Sequence, residues 1–368
     1  MKVSFNKDAL AEALGLLTSV VPARTPKPIL RCVHVATSDK DVRLSATDLE
    51  TGISYYLSEL QIEESGEVVV QADRVAGIVR ESSESVLTVK AKEGTCEITG
   101  SDSHFTIYGQ EPEHYPLVPK FEGEADLKMP LENLQTGIEQ CLFATAKETS
   151  RYAINGVLWE FKGKKLLLVS TDGRRLARSR VSLSSSPNEH ISKQKIIVPA
   201  KTMNLLSKLS VKEKENLSVK LVDNQIMFRY ANVVINSVLV EGKFPNYEDI
   251  IPTDYSNKLV LSTAAVLSAV RRAALLTSEE SRGIKLSIDK DNIVFSSRAP
   301  EAGDAQVTIP IEYDGKPIDI GFNPQFLIDA LRVIKTDDFE LQLGQSDTPG
   351  LIKSGADFIY VLMPISLG

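Results

Sequence analysis

A chain of 368 residues is too long for one ordinary domain and suits two or three, and its 42% hydrophobic and 25% charged residues are in the balance of a globular protein. No stretch approaches the roughly 18 consecutive apolar residues that a membrane helix needs, and Cys32, Cys96 and Cys141 are spaced for neither a disulfide framework nor a zinc site. The net charge of −7 is unevenly distributed, −7 over residues 1–122, +5 over 123–253 and −5 over 254–368, so an acidic total permits a basic surface without requiring one.

The chain opens Met1-Lys2-Val3-Ser4-Phe5, which alternates like a strand and lacks the apolar run of a signal peptide. With three plain thiols, a cytoplasmic location is the expectation. Val3 and Phe5 lie two apart, on one strand face, and Leu10 and Leu14 lie four apart, on one helix face. The pattern returns as Leu127, Met129, Leu134 and Ile138, offset by 124 residues, and again as Leu259, Leu261, Val266 and Val270, offset by a further 132. A second strand-to-helix step follows in each copy: Val68-Val69-Val70 into Ala72-Asp73-Arg74-Val75, Ile196-Ile197-Val198 into Ala200-Lys201-Thr202-Met203, and more loosely Ile318-Asp319-Ile320 into Pro324-Gln325-Phe326. Pro199 and Pro324 sit at or near helix starts, where a missing N–H costs little. Each copy closes with an apolar residue before proline: Tyr115-Pro116, Phe244-Pro245 and Met363-Pro364.

Between these landmarks lie short β-branched runs with hairpin-like turns at Lys162-Gly163-Lys164, Asp223-Asn224, Asp289 to Asn292 and Asp314-Gly315. Ser182 to Asn188 reads as an exposed loop. The fold class predicted is α+β, three tandem similar domains over residues 1–122, 123–253 and 254–368, each two helices packed on antiparallel sheet. Their sheet edges can pair across the joints.

No reaction is legible. His34, His104, His114 and His190 form no spaced ligand cluster, and no Walker loop, dinucleotide-binding glycine pattern or nucleophile elbow occurs. Glu63-Glu64 and Asp337-Asp338 read as solvated surface carboxylates, and Asp48 and Asp172 as turn or cap residues. No catalytic residue, metal or cofactor is expected.

Several stretches, taken in order, resemble one family along essentially the whole chain: Lys27-Pro28-Ile29-Leu30, Ala46-Thr47-Asp48-Leu49-Glu50, Arg151-Tyr152-Ala153-Ile154-Asn155-Gly156-Val157, Ser170 to Ala177, Phe244 to Pro252, Gly321-Phe322-Asn323 and Tyr360 to Pro364. The family is the bacterial sliding clamp, the beta subunit of DNA polymerase III. The resemblance implies clamp domains, two chains joined head to tail as a homodimeric ring of six domains, and twelve helices around a hole that encircles double-stranded DNA without sequence specificity. The three repeats supply six helices per chain, half of such a ring. It further implies a processivity factor that tethers the replicative polymerase, the clamp loader and repair proteins, with no membrane partner.

The resemblance also implies sites. Arg24 and Lys201 match positions near DNA and Arg74 lies in a corresponding segment; Arg271, Arg272, Arg332 and Lys335 are added from their placement on or beside predicted helices. Phe105 and Ile107 are expected to face Leu275 and Leu276 of the other chain. A hydrophobic peptide pocket is implied at Ile154, Thr171, Gly173, Arg174, Arg175, Leu176, Pro245, Ile250, Asn323, Phe326, Val361, Met363, Pro364 and Ile365. Arg174 stands where a histidine is common, and Ile365-Ser366-Leu367-Gly368 replaces the more usual tail, which leaves the preferred peptide open. Two rivals stay in view: an enzyme built on an unrecognised carboxylate pair, and a clamp-like scaffold that does not encircle DNA.

Overall fold

The computed structural model describes all residues except 39, 59, 93, 149–151, 213–214, 253–254, 256, 278–282 and 367–368. Arg151 of one matching stretch, the expected junction at Thr253-Asp254 and the terminal Leu367-Gly368 therefore lie outside the described residues. Among those described, the helices are α1 (Lys7–Thr18), α2 (Ala72–Glu81), α3 (Leu131–Cys141), a short α4 (Glu189–Ser192), α5 (Ala200–Leu206), α6 (Thr263–Ala273) and α7 (Pro324–Val333). None of them is long and apolar enough to cross a membrane.

Each strand-to-helix joint starts where the polar residues allow it. Asn6 caps α1 by accepting from the Ala9 N–H at 3.0 Å, Ser262 caps α6 by accepting from Ala265, and Asn323 caps α7 by accepting from Gln325 at 2.9 Å. Pro324 then occupies the first helical turn, whose N–H groups have no intrahelical acceptor. The twelve repeated apolar positions, from Val3 to Val270, are all buried at 4% exposure or less. Strand and helix periods thus converge on one core in each copy.

The chain folds as two compact units. The first comprises Met1–Leu131, Ser184–Ile191 and Asn204–Leu239. Its strands form one antiparallel sheet in which Val233–Val238 pairs with Thr51–Leu57, Val233 opposite Tyr55 and Ser237 opposite Thr51. Strands from the first and second repeats are therefore continuous, and α1 packs on α2 over this core. The strand His104–Gln110 pairs with Thr95–Thr99 from His104 to Tyr108, but meets Glu67–Gln71 only at Gly109 and Gln110. One side of residues 104–108 is left without a strand partner among the described residues.

The second unit comprises Glu132–Leu183, Ser192–Met203 and Val240–Gly368. Its eight-stranded sheet runs, by neighbours, Lys195–Pro199, Gly156–Lys162, Lys165–Thr171, Arg175–Ser182, Phe358–Leu362, Gly350–Ser354, Asp338–Leu343 and Asn257–Ser262. The seam between the second and third repeats is the antiparallel pair in which Arg175 faces Leu362 and Ser179 faces Phe358. Helix α3 lies close on this sheet because Gly137 has no side chain: a Cβ there would come within 2.6 Å of Val181 and 2.8 Å of Leu168.

A separate four-stranded sheet runs Gly303–Pro310, Asn292–Ala299, Ile284–Ile288, Ile318–Phe322, and α6 packs on α7 beside it. This order corrects one expectation. Asp314-Gly315 does not close a hairpin, because the strands on either side of it sit at opposite edges of the sheet, and the connection crosses the two strands between. The other three predicted turns join neighbouring strands.

The repeat extends to a turn the apolar pattern does not reveal. Thr47 accepts from the Leu49 N–H and donates to the Thr51 carbonyl at 3.0 Å, while Asp48 accepts from the Glu50 and Thr51 N–H groups. Thr171 and Asp172 make the same four bonds to Gly173, Arg174 and Arg175. The third turn residue has φ +83° at Leu49 and +86° at Gly173. Asp48 and Asp172 are turn residues, as expected from their chemistry.

Candidate functional site

The Thr171–Arg175 turn carries the centre of the expected pocket, and Arg175 is its most heavily bonded side chain. Nε donates to Asp172 Oδ2 at 2.9 Å, Nη1 to Asp329 Oδ2 at 2.6 Å and Nη2 to the Phe143 carbonyl at 2.7 Å. The guanidinium carbon lies 4.4 Å from the Phe326 ring centroid and 5.4 Å from that of Phe143. With its side chain only 10% exposed, Arg175 is a strut that ties the turn to α7 rather than a free donor. Tyr360, fully buried beside it, donates to the Phe326 carbonyl at 3.1 Å.

Ile154, Leu176 and Val361 lie in one buried cluster with Leu158, Val169, Ile197, Phe244 and Tyr247, so they form a floor, not a surface. Thr171 is buried as well. Of the other expected pocket residues, Gly173 and Arg174 are exposed, Ile250 is 39% and Met363 40% exposed, and Pro245, Asn323 and Phe326 are half-buried. The Met363 N–H donates to the Arg174 carbonyl at 2.9 Å, which holds the tail against the turn. The exposed Ile250 and Met363 and the buried apolar cluster are the residue types that line an apolar peptide pocket. The next tail residues diverge: the Ile365 N–H donates to the Gly321 carbonyl, and Pro364 and Ile365 wall a cleft of about 490 Å³ with Asp319, Ile320, Ser346 and Asp347.

Sequence reasoning missed Asp329, Phe143 and Glu160. Tyr247 donates to Glu160 Oε2 at 2.7 Å, and Lys195 lies 3.3 Å from the other oxygen. Burial alone pushes the Glu160 carboxyl up, but the Tyr247 hydroxyl and the Lys195 ammonium outweigh it and hold the group below its usual range. The signal for Asp329 was a charged residue on an otherwise buried helix face; its partner lies 154 positions away.

The basic candidates separate by environment. Arg24 is exposed beyond α1, and Arg74 is exposed on α2. Arg271, Arg272 and Arg332 are exposed in the last turns of the packed helices α6 and α7. Lys201 is half-buried with a partner, and Lys335 pairs with Glu139 at 3.0 Å. Of the expected interface residues, Phe105 is 40% and Leu275 79% exposed, while Ile107 and Leu276 are half-buried. Tyr108, on the same strand as Phe105, is 83% exposed.

Among the described residues no three metal-ligating side chains cluster. All three cysteines are buried, and burial pushes the Cys96 thiol up to about 12, with the Glu97 charge adding to it. Glu63 of the first acidic pair is engaged with Lys2 at 2.6 Å.

Comparison with known proteins agrees over the full length. Family models for the DNA polymerase III beta subunit match in order: the N-terminal domain at residues 1–119, the central domain at 128–246 and the C-terminal domain at 248–366. A beta sliding clamp of Pseudomonas putida is 30% identical over 373 residues, covering 100% of both chains. The crystal structure of the Bacillus subtilis DNA polymerase sliding clamp superposes with a TM-score of 0.93 at 26% identity, over 100% of this chain and 99% of that one. A Pseudomonas aeruginosa sliding clamp bound to griselimycin gives 0.93 at 28% identity, over 100% of each.

Proposed function

The chain belongs to the DNA polymerase III beta subunit family, and on that premise we propose that it is a processivity factor: two copies close head to tail into a ring that encircles duplex DNA and tethers the polymerase. The observation that carries the reading is that residues 104–108 in the first repeat and the edge strand Gly303–Pro310 in the third each keep one side without a strand partner among the described residues. An unpaired edge is a template for another strand. Two different edges on one chain favour a heterologous contact, which ends in a closed ring if the rotation closes.

In this reading the domains span residues 1–122, 123–253 and 254–368, and Phe105 and Ile107 meet Leu275 and Leu276 of the other copy. Arg24, Arg74, Lys201, Arg271, Arg272, Arg332 and Lys335 contact phosphates, with the exposed arginines contributing most and Lys335 only after parting from Glu139. Phosphate contacts carry no sequence information, so they permit sliding. The site around Thr171, Gly173, Arg174, Leu176, Pro245, Ile250 and Met363 takes an apolar peptide of the polymerase, the loader or a repair protein. Tethering raises the polymerase's effective concentration at the primer end. No chemistry is performed by the chain itself, and it acts in the cytoplasm.

The test is retention on nicked circular DNA after loading by a clamp loader. Release only after the circle is cut supports encirclement. Equal release from intact and cut circles returns the chain to the second reading, a scaffold that does not enclose DNA.

A further inference from the structure

On the sheet of the second unit, at the end of the strands remote from the Thr171–Arg175 turn, lies a cleft of about 460 Å³ lined by Lys162, Lys165, Leu167, Arg178, Arg180 and the Ala356-Asp357 turn. Strand register explains why four cations converge there. Leu167 faces Arg180, Val169 faces Arg178 and Lys162 faces Lys165 across neighbouring strands, and residues directly opposite one another share a sheet face. Lys162 and Lys165 are therefore directly opposite each other, and Arg178 and Arg180 are two apart on one strand, so all four side chains project from the same sheet face.

Their mutual repulsion is only partly relieved. Lys162 lies 3.3 Å from Glu248 and 3.8 Å from Glu160, and Asp357 is on the wall. Lys165 donates to the Ser182 hydroxyl at 2.8 Å and Arg180 to the Ala356 carbonyl at 2.9 Å, both neutral acceptors. Arg178 is half-buried, and its Nε is enclosed with no hydrogen-bond partner among the described residues. Burial and the adjacent Arg180 charge lower its pKa and outweigh the opposing Tyr247, Glu248 and Glu160. A buried donor left unsatisfied costs free energy that an arriving anion returns.

We propose that this cleft binds the carboxylates of an acidic peptide segment, and that the segment belongs to the same partner whose apolar residues occupy the site at Met363. The second half rests on the proposed function. The same sheet face carries Val169, Leu176 and Val361, the buried apolar floor of that site, so cleft and site lie toward the two ends of one sheet face. Gly173 and Arg180 are seven positions apart, a span of at most about 23 Å at roughly 3.3 Å per residue. An extended peptide therefore places its acidic residues about seven positions from its apolar anchor. The cations are spread over three strands around the apolar Leu167, which suits a row of side-chain carboxylates better than one compact anion.

The experiment measures binding of fluorescein-labelled hexaglutamate to the full chain by anisotropy at low salt. The double variant Arg178→Gln/Arg180→Gln is expected to bind at least about tenfold more weakly and Lys165→Gln about threefold more weakly, with Met363→Ala unchanged. Lys165 is exposed, so its variant decides the matter should the double variant fail to fold. Absence of binding to the natural chain, or equal binding by the variants, overturns the proposal. Displacement by inorganic phosphate at the concentration at which unlabelled hexaglutamate displaces also overturns it, because the site then takes any compact anion. A second probe joins hexaglutamate through seven Gly/Ser residues to a Leu-Leu-Phe anchor. Tighter binding that Met363→Ala abolishes supports the coupling; an anchor that adds nothing overturns the coupling and the pocket reading, while hexaglutamate alone still decides the cleft.

Discussion

Arg175 and Asp329 meet at 2.6 Å across the join between the second and third repeats, with the two side chains 10% and 18% exposed. A pair this enclosed is poor evidence of net stability but strong evidence of position, because removing one partner strands the other's charge. Asp329→Ala is expected to cost on the order of 3 kcal/mol and to weaken binding at the Met363 site, since the turn loses its tie to α7. Arg175→Met combined with Asp329→Leu should cost less than the sum of the two single changes. Urea titrations of the four proteins check this, and strictly additive losses would show that the pair is not a coupled strut.

The duplicated Thr-Asp turn makes a paired prediction. Leu49 holds φ +83°, in the left-handed region that favours glycine, while its counterpart Gly173 holds +86°. Leu49 is 51% exposed, so removing its side chain forfeits little burial. Leu49→Gly is expected to stabilise the chain by about 1 kcal/mol, and Gly173→Leu to destabilise it by a similar or larger amount. Opposite shifts of the urea midpoint are the readout; shifts of the same sign would contradict the shared geometry.

Glu160 ties the Phe244–Tyr247 segment to the sheet through Tyr247, and its carboxyl is held below the usual range. A carboxyl lowered in the folded state binds fewer protons there than in the unfolded chain, so its contribution is complete above the unfolded value, about 4.3. That contribution is lost as pH falls through the lower folded value. Glu160→Gln keeps an acceptor for Tyr247 but removes the charge facing Lys195 and Lys162. The stability advantage of the natural chain over Glu160→Gln should therefore be constant from pH 7 to about pH 5 and vanish toward pH 3. A difference that persists unchanged to pH 3 would mean the charge contributes nothing.

Much of the fold was legible because burial follows periodicity. Val3, Phe5, Leu10 and Leu14 and their eight counterparts announce a strand face and a helix face before any coordinates, and all twelve are buried. Asp314-Gly315 misled for the opposite reason. A turn sequence reports that the chain reverses, not which strand it next pairs with, and here the following strand joins the far edge of the sheet. Within the candidate site, the exposed Arg174 and Met363 were legible through the resemblance alone. The role of Arg175 was not, because a cation on a turn reads as solvent-facing until its partners are known.

By itself the sequence determined that the chain is built three times over and that a strand passes to a helix between Phe5 and Leu10, between Met129 and Leu134 and between Leu261 and Val266. These follow from interactions between residues a few positions apart, where side-chain type and spacing dictate the backbone. Tertiary structure alone decided that Arg175 pairs with Asp329, 154 residues away, that Lys162, Lys165, Arg178 and Arg180 gather around one cleft, and that residues 104–108 keep an edge with no strand partner among the described residues. Each depends on which strands lie side by side, a choice made by burying a shared core, and no local pattern encodes it.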